Sequence, residues 1–228
     1  MNILNQIPFP LDVDRLMREA HVTPGSEDAA DFQSLVELAR RVGCPKAAYA
    51  VSFIGRREGD DVEIGGVTFT SRVLGRNLQA VERVFPVLTT CGVEMDEAFQ
   101  ERGDVLKTYW WDLIKTELLF AADQALEAHL RRTYRLTKTA VMRPGSGDVS
   151  VWPIEQQQGV FALLGEAAGR IGVTLTDSFL MIPNKTASGL LFPTAKDFRE
   201  CEVCHRENCP SRRAPFDKGK WKDFGMEG

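Results

Sequence analysis

Apolar and polar positions along the chain switch several times between a helical and a strand-like period. Phe32, Leu35, Val36, Leu38 and Ala39 recur at three- and four-residue steps, which predicts a helix over residues 26–42 with Ser26 as N-cap and Gly43 as its stop. A shorter helix is predicted over 12–21, with Asp12 near its start and Pro24-Gly25 beyond its end. The longest pattern covers 104–135, where Leu106, Tyr109, Trp110, Leu113, Ile114, Leu118, Ala121, Ala125 and Leu130 trace one face of a central strut. Residues 47–54 are rich in strand formers, and 56–61 read as a charged turn. The runs 62–64 and 67–69 flank Gly65-Gly66, a hairpin signal because both glycines supply positive φ.

Residues 73–83 predict a short helix and 84–90 an apolar strand, placed at an edge or a bulge by Pro86. Cys91-Gly92 ends that strand, and a helix to about residue 102 follows. Residues 139–142 form a short strand. Pro153 then opens a helix with Val160, Phe161, Leu163, Leu164, Ala167, Ala168 and Ile171 on its apolar face, stopped by Gly172. Strands are predicted at 178–182 and 189–192. Helices mixed with hairpin-type connections predict an α+β fold, with a mixed or antiparallel central sheet and a long central helix, rather than a doubly wound parallel sheet.

The 228 residues suit one large domain or two small ones, and a 43% hydrophobic content is enough for a substantial core. No apolar run approaches the ~18 residues of a membrane span, and the N-terminus lacks a signal-peptide pattern. A cytoplasmic location away from membranes is therefore expected. A net charge of −4 argues against bulk nucleic-acid binding. The five cysteines divide the chain. Cys201, Cys204 and Cys209 fall close together, so residues 1–198 are expected to form the main domain and 199–228 a cysteine-rich metal-binding tail.

Two constellations carry candidate chemistry. The loop Arg143-Pro144-Gly145-Ser146-Gly147-Asp148 joins a planar guanidinium fork, suited to a carboxylate or phosphate, to glycines that let backbone approach a ligand. The alternative is an ordinary turn with a surface arginine paired to an aspartate. A dinucleotide fingerprint is excluded, because Ser150 stands where the third glycine would be. Glu127, on the last third of the long helix, either faces this loop and binds an ammonium or pairs with Arg131 four residues on. His21, His129 and His205 support no catalytic triad, and His129 is expected at the helix surface. In the tail, Cys201-Glu202-Val203-Cys204 and Cys209 present soft thiolates suited to zinc or an iron–sulfur cluster, with His205, Cys44, Cys91 or a non-protein group as fourth ligand. Arg206, Arg212 and Arg213 would offset the cluster charge or meet an acidic partner. The alternative is a set of exposed thiols without metal.

These residues resemble the activation domain of cobalamin-dependent methionine synthase. That family carries an R-P-x-x-G-Y loop before a helix, then T-x-S-F-x-M-x-P and S-G-x-x-F. The matching pieces are Arg143-Pro144 with Gly147, then Thr176-Asp177-Ser178-Phe179-Leu180-Met181-Ile182-Pro183, then Ser188-Gly189-Leu190-Leu191-Phe192, in the same order. The likeness spans most of residues 10–198 and implies a stand-alone form with an added cysteine-rich tail. It implies an S-adenosylmethionine site in which Arg143 binds the ligand carboxylate, backbone at Gly145 and Gly147 holds the amino acid and sulfonium ends, and Glu127 meets the amino group. Asp148 stands at the family's loop tyrosine and Phe198 near its second one, so both join the ligand set. The resemblance further implies a corrinoid methyltransferase, such as methionine synthase, as partner, with cobalamin carried on that partner. The tail would then relay electrons or receive them from a donor. Two other readings stay open: a non-catalytic docking module of a corrinoid protein, and a zinc-dependent regulator without a corrinoid partner.

Overall fold

The structure is a computed structural model that describes residues 2–101, 103–209 and 212–226. It opens with β1 (Asn2–Leu4), α1 (Val13–Glu19), α2 (Glu27–Val42), β2 (Lys46–Tyr49), β3 (Ser52–Glu58), β4 (Asp61–Ile64), β5 (Val67–Thr70) and α3 (Arg72–Asn77). It continues with β6 (Arg83–Thr90), α4 (Val93–Ala98), α5 (Val105–Tyr134), β7 (Thr139–Met142), α6 (Gln157–Leu164) and α7 (Ala167–Arg170). β8 (Thr174–Leu175), β9 (Met181–Ile182), β10 (Thr186–Pro193) and α8 (Lys218–Asp223) complete the described chain. Eight of these strands form one sheet in which every pair is antiparallel, as the α+β reading expects.

β6 is the middle of that sheet. β2 and β3 share one of its edges in succession, and β10 takes the other and carries β7 beyond it. The expectation that Pro86 marks an edge or a bulge is thus corrected. The Pro86 carbonyl accepts from the Ala50 N–H at 3.0 Å, so its missing N–H faces the gap between β2 and β3, where no ladder bond is lost. Side chains alternate across the sheet. Val84, Leu88, Leu190 and Phe192 enter a core with α6, α7 and the β4–β5 hairpin. Phe85, Val87 and Leu191 enter a second core with Ala122, Leu126 and Leu130 of α5. A sheet covered on both faces explains why β6 and β10 read as nearly unbroken apolar runs.

α5 runs within one residue of its expected bounds, N-capped by Asp104 (Lys107 N–H to Oδ1, 2.9 Å) and closed by Arg135 at φ 54°. Its buried face differs from the expected one. Trp110, Trp111, Ile114 and Leu118 pack against α1, α2 and α4, whereas Leu106 and Tyr109 are exposed. The strut therefore serves two cores in sequence, a helical one along its first half and the sheet along its second. Lys115, also on the buried face, is paired with Asp96 and Asp112.

The hairpin forms as expected, with Gly65 at φ 56° and Gly66 at φ 85°. Ser26 caps α2 through the Ala29 N–H, at 3.2 Å. Gly43 ends α2 for a different reason from the one expected. Its φ is −59°, and a Cβ there would stand 2.5 Å from Phe9 Cζ, so close approach rather than a left-handed turn demands glycine. The predicted turn at 56–61 shrinks to Gly59 and Asp60, because β3 extends to Glu58. The helix expected from Pro153 breaks at Gly165, φ 53°, into α6 and α7.

Strand pairing makes a further demand at Gly189, whose Cβ would stand 2.4 Å from the Met142 carbonyl oxygen across the β7–β10 pair. Gly189→Ala is expected to cost about 2–3 kcal/mol in urea denaturation, because backbone must move to admit the methyl group. Gly169→Ala, facing open space on α7, is expected to be neutral or to add about 0.5 kcal/mol.

Candidate functional site

Arg143 leaves the end of β7, beside the middle of β10. The Gly145 N–H donates to the Trp152 carbonyl at 2.9 Å and closes the loop behind it. Gly145 sits at φ 73° with Ile154 where its Cβ would be, 2.8 Å away. Gly147, at φ 87°, faces the tail instead, since a Cβ there would stand 3.0 Å from Cys204 Cβ. Each glycine thus holds one side of the loop against a different neighbour.

The Arg143 guanidinium lies between two carboxylates. One nitrogen donates to Asp123 Oδ2 of α5 at 3.1 Å, and the other reaches Glu200 Oε2 of the tail at 3.5 Å. The Arg143 main-chain N–H donates to the second oxygen of Glu200. Asp123 is itself fixed by the Thr89 hydroxyl of β6, at 2.7 Å. A single network therefore ties the central strand, the long helix, the loop and the tail. Burial pushes the Glu200 carboxyl up to about 7, against the pull of Arg143, while both carboxylates hold Arg143 protonated.

A cleft of about 570 Å³ opens in front of this loop, within the size range of small-molecule sites. Arg143 to Ser146 form one wall. Phe179, Leu180, Met181 and Ile182 form an apolar wall opposite, with Leu180 and Ile182 exposed at the mouth. Residues 186–188 of β10 form the floor together with buried Gln157, which accepts from Ser188 Oγ at 3.1 Å and donates to the Phe179 carbonyl at 2.9 Å. That last bond braces Phe179 at φ 62°, an uncommon conformation for a residue with a side chain. Asp96, ion-paired with Lys115, also reaches the cleft. One guanidinium, one carboxylate, a few amides and hydroxyls, and an apolar wall suit a small amphipathic ligand that carries charge at one end.

No family model and no curated protein matches the chain. Among solved structures it is similar to a crystal structure of the MetH reactivation domain bound to AdoHcy, with a TM-score of 0.59 and 16% identity over 87% of this chain and 81% of that one. The fold is that of the MetH reactivation domain. At this identity the likeness speaks for architecture, which includes the antiparallel sheet and the long helix, and not for any single residue.

The candidate residues part company in the structure. Arg143 and Gly145 line the cleft. Glu127 accepts a hydrogen bond from Thr139 Oγ1 at 2.6 Å, and Arg131 donates to the Thr137 carbonyl at 2.7 Å, so the helix ion pair considered for them is replaced by bonds into the following turn and strand. Asp123, one helical turn before Glu127, is the acid of the long helix that Arg143 meets. The sequence carried a signal for it, because residues four apart share a helix face. Asp148 accepts from the Ser150 N–H and from His205 Nδ1 (3.1 Å), and these bonds hold its carboxyl below the usual range. Phe198 is buried in the core, edge-on to Phe224 at 5.7 Å between centroids. His129 is not a free surface residue either, since its Nε2 lies 3.1 Å from the Tyr49 hydroxyl.

The tail folds back onto the body. Val203 is buried in the main core, and Trp221, Phe224 and Met226 pack against it. Arg72 and Arg76 of α3 donate to the carbonyls of Gly225 and Asp223. Arg212 donates to the carbonyls of Cys201 (3.1 Å), Cys204 (3.0 Å), Ala214 (3.0 Å) and Arg206, so it organises the backbone around the cysteines. The metal expectation finds no assembled site. Among the described residues no three His, Cys, Asp or Glu side chains are grouped to hold an ion. Cys204 is buried against the Arg143 loop, Cys201 Sγ accepts from the Arg213 N–H at 3.4 Å, and Cys91 lies in the α2 core with its thiol pushed up to about 12 by burial. No helix among the described residues is long and apolar enough to cross a membrane.

A raised carboxyl stabilises the fold fully below its ordinary range and loses that contribution as pH rises through its folded value. Between about pH 5 and about pH 8, unfolding free energy in urea is expected to fall, and Glu200→Gln is expected to flatten that slope.

Proposed function

We propose that the cleft binds S-adenosylmethionine and its product S-adenosylhomocysteine, with Arg143 receiving the ligand carboxylate. The protein then acts as a separate reactivation subunit for a corrinoid methyltransferase such as methionine synthase. The observation that carries the reading is Arg143 in the wall of a mixed polar and apolar cleft, in a fold whose solved neighbour was crystallised with AdoHcy. The guanidinium fork matches a carboxylate, and Phe179, Leu180 and Ile154 offer a surface of the kind a nucleoside packs against. Asp96 adds negative charge where an ammonium or sulfonium is to be balanced.

The methyl acceptor is cobalamin carried by the partner chain, reduced by one electron from a donor outside this chain. What this chain contributes is placement: the loop and the Gln157 bridge hold the methyl donor at a cleft whose mouth exposes Leu180 and Ile182 to a docking protein. A cytoplasmic setting follows from such a partnership.

Titration calorimetry with S-adenosylhomocysteine tests the ligand. The wild type is expected to bind, and Arg143→Ala to bind at least about tenfold more weakly, the loss of one charge-assisted contact. No heat with the wild type overturns the reading. An anaerobic pull-down then tests the partner: a corrinoid absorption spectrum in the eluate is expected, and its absence with ligand present removes the corrinoid role.

A further inference from the structure

We propose that Glu200 is a built-in competitor for Arg143, so that the tail occupies the fork of the empty protein and yields it to a carboxylate-bearing ligand. The inference rests on the reading that Arg143 receives the ligand carboxylate. It makes the added tail a self-regulating element of the cleft.

Three observations lead there. First, both oxygens of Glu200 are engaged by Arg143, one by the main-chain N–H and one by the guanidinium, which is how a free carboxylate would be gripped at this strand end. Second, the guanidinium already faces two acids. A third carboxylate from a ligand would place three negative charges around one positive charge, so one acid must withdraw or take up a proton. Asp123 is the anchored one, because it sits within the 30-residue α5 and its other oxygen is held by Thr89. Third, Glu200 is the separable one. It opens a single 3-10 turn, Glu200–Val203, that joins Arg143 only through space, 57 residues away. Val203 at the far end of that turn stays seated in the main core, so the yielding is local: the end that carries Glu200 lifts away while Val203 and the sheet keep their packing.

The charged groups around Glu200 are Arg143 from β7, Asp123 from α5 beyond it, and Arg213 from the tail. The His205–Asp148 pair lies on the same tail-to-loop face. Burial raises the Glu200 carboxyl to about 7, so both its charged and its protonated forms are within reach at ordinary pH.

The test is calorimetry on the full chain with two probes, S-adenosylhomocysteine and 5′-methylthioadenosine, which keeps the nucleoside and sulfur but lacks the carboxylate. Glu200→Gln, close in shape and still able to accept from the Arg143 N–H, is expected to bind S-adenosylhomocysteine about tenfold more tightly than the wild type, equivalent to about 1.4 kcal/mol. Its affinity for 5′-methylthioadenosine is expected to stay unchanged. Wild-type affinity for S-adenosylhomocysteine is expected to fall as pH rises from about 6 to about 8, where Glu200 ionises, and Glu200→Gln to lose that dependence while keeping the His205–Asp148 pair. Hydrogen exchange in residues 199–209 is expected to rise on ligand binding. Equal or weaker binding by Glu200→Gln, with circular dichroism showing it folded, overturns the competition while leaving the ligand reading intact. If that variant does not fold, unchanged exchange in the wild-type tail at saturating ligand overturns it instead. No binding by either protein overturns the ligand reading and the competition together.

Discussion

A guanidinium taken largely out of water must be met by counter-charge, and Arg143 is three-quarters buried where the loop leaves β7. That requirement reaches through the whole molecule. It draws Asp123 from the long helix, which Thr89 of the central strand holds in place, and it draws Glu200 from a segment far along the chain. Sheet, helix, loop and tail are consequently one electrostatic unit. The tail cannot be treated as an appendage, since its Val203 lies in the main core and its Cys204 packs where Gly147 has no side chain.

The same arrangement relates function to stability. The proposed ligand calls for the positive charge that Arg143 places at the cleft wall, and a bare guanidinium there would be costly to bury. Two acids neutralise it, but they also stand in the way of an anionic ligand. On the proposed reading such a site is poised rather than simply open, because a ligand carboxylate would replace one acid partner by another. In the floor, Gln157 makes both of its bonds at once: its Oε1 accepts from Ser188 while its Nε2 donates to the Phe179 carbonyl.

Features governed by local chemistry were legible from the residues. Ser26 announces a helix start through a short side chain that accepts a backbone N–H, Gly65-Gly66 announces a tight turn, and the length of α5 follows from an unbroken helical period. Where the reading slipped, a partner distant in sequence had intervened. Pro86 looks like an edge residue until the gap between β2 and β3 is seen to face it. Leu106 and Tyr109 look buried until the helical core is found to start at Trp110. The C-x2-C turn was read for its thiols alone, whereas the structure shows Cys204 packed against the loop at Gly147 and Arg212 holding the surrounding carbonyls.

By itself, the order of residues determined the α+β class, the long helix, the Arg143 loop with Gly145 at its bend, and a likeness whose fold the solved neighbour shares. These depend on period, capping and backbone freedom, which act over a few residues. Only the tertiary structure decided which acids meet Arg143, that Glu127 turns to Thr139, that Asp148 answers His205, and that the tail joins the site. Charge pairing is a matter of distance in space, and Asp123 and Glu200 lie 20 residues before Arg143 and 57 after it, separations at which sequence alone conveys no geometry.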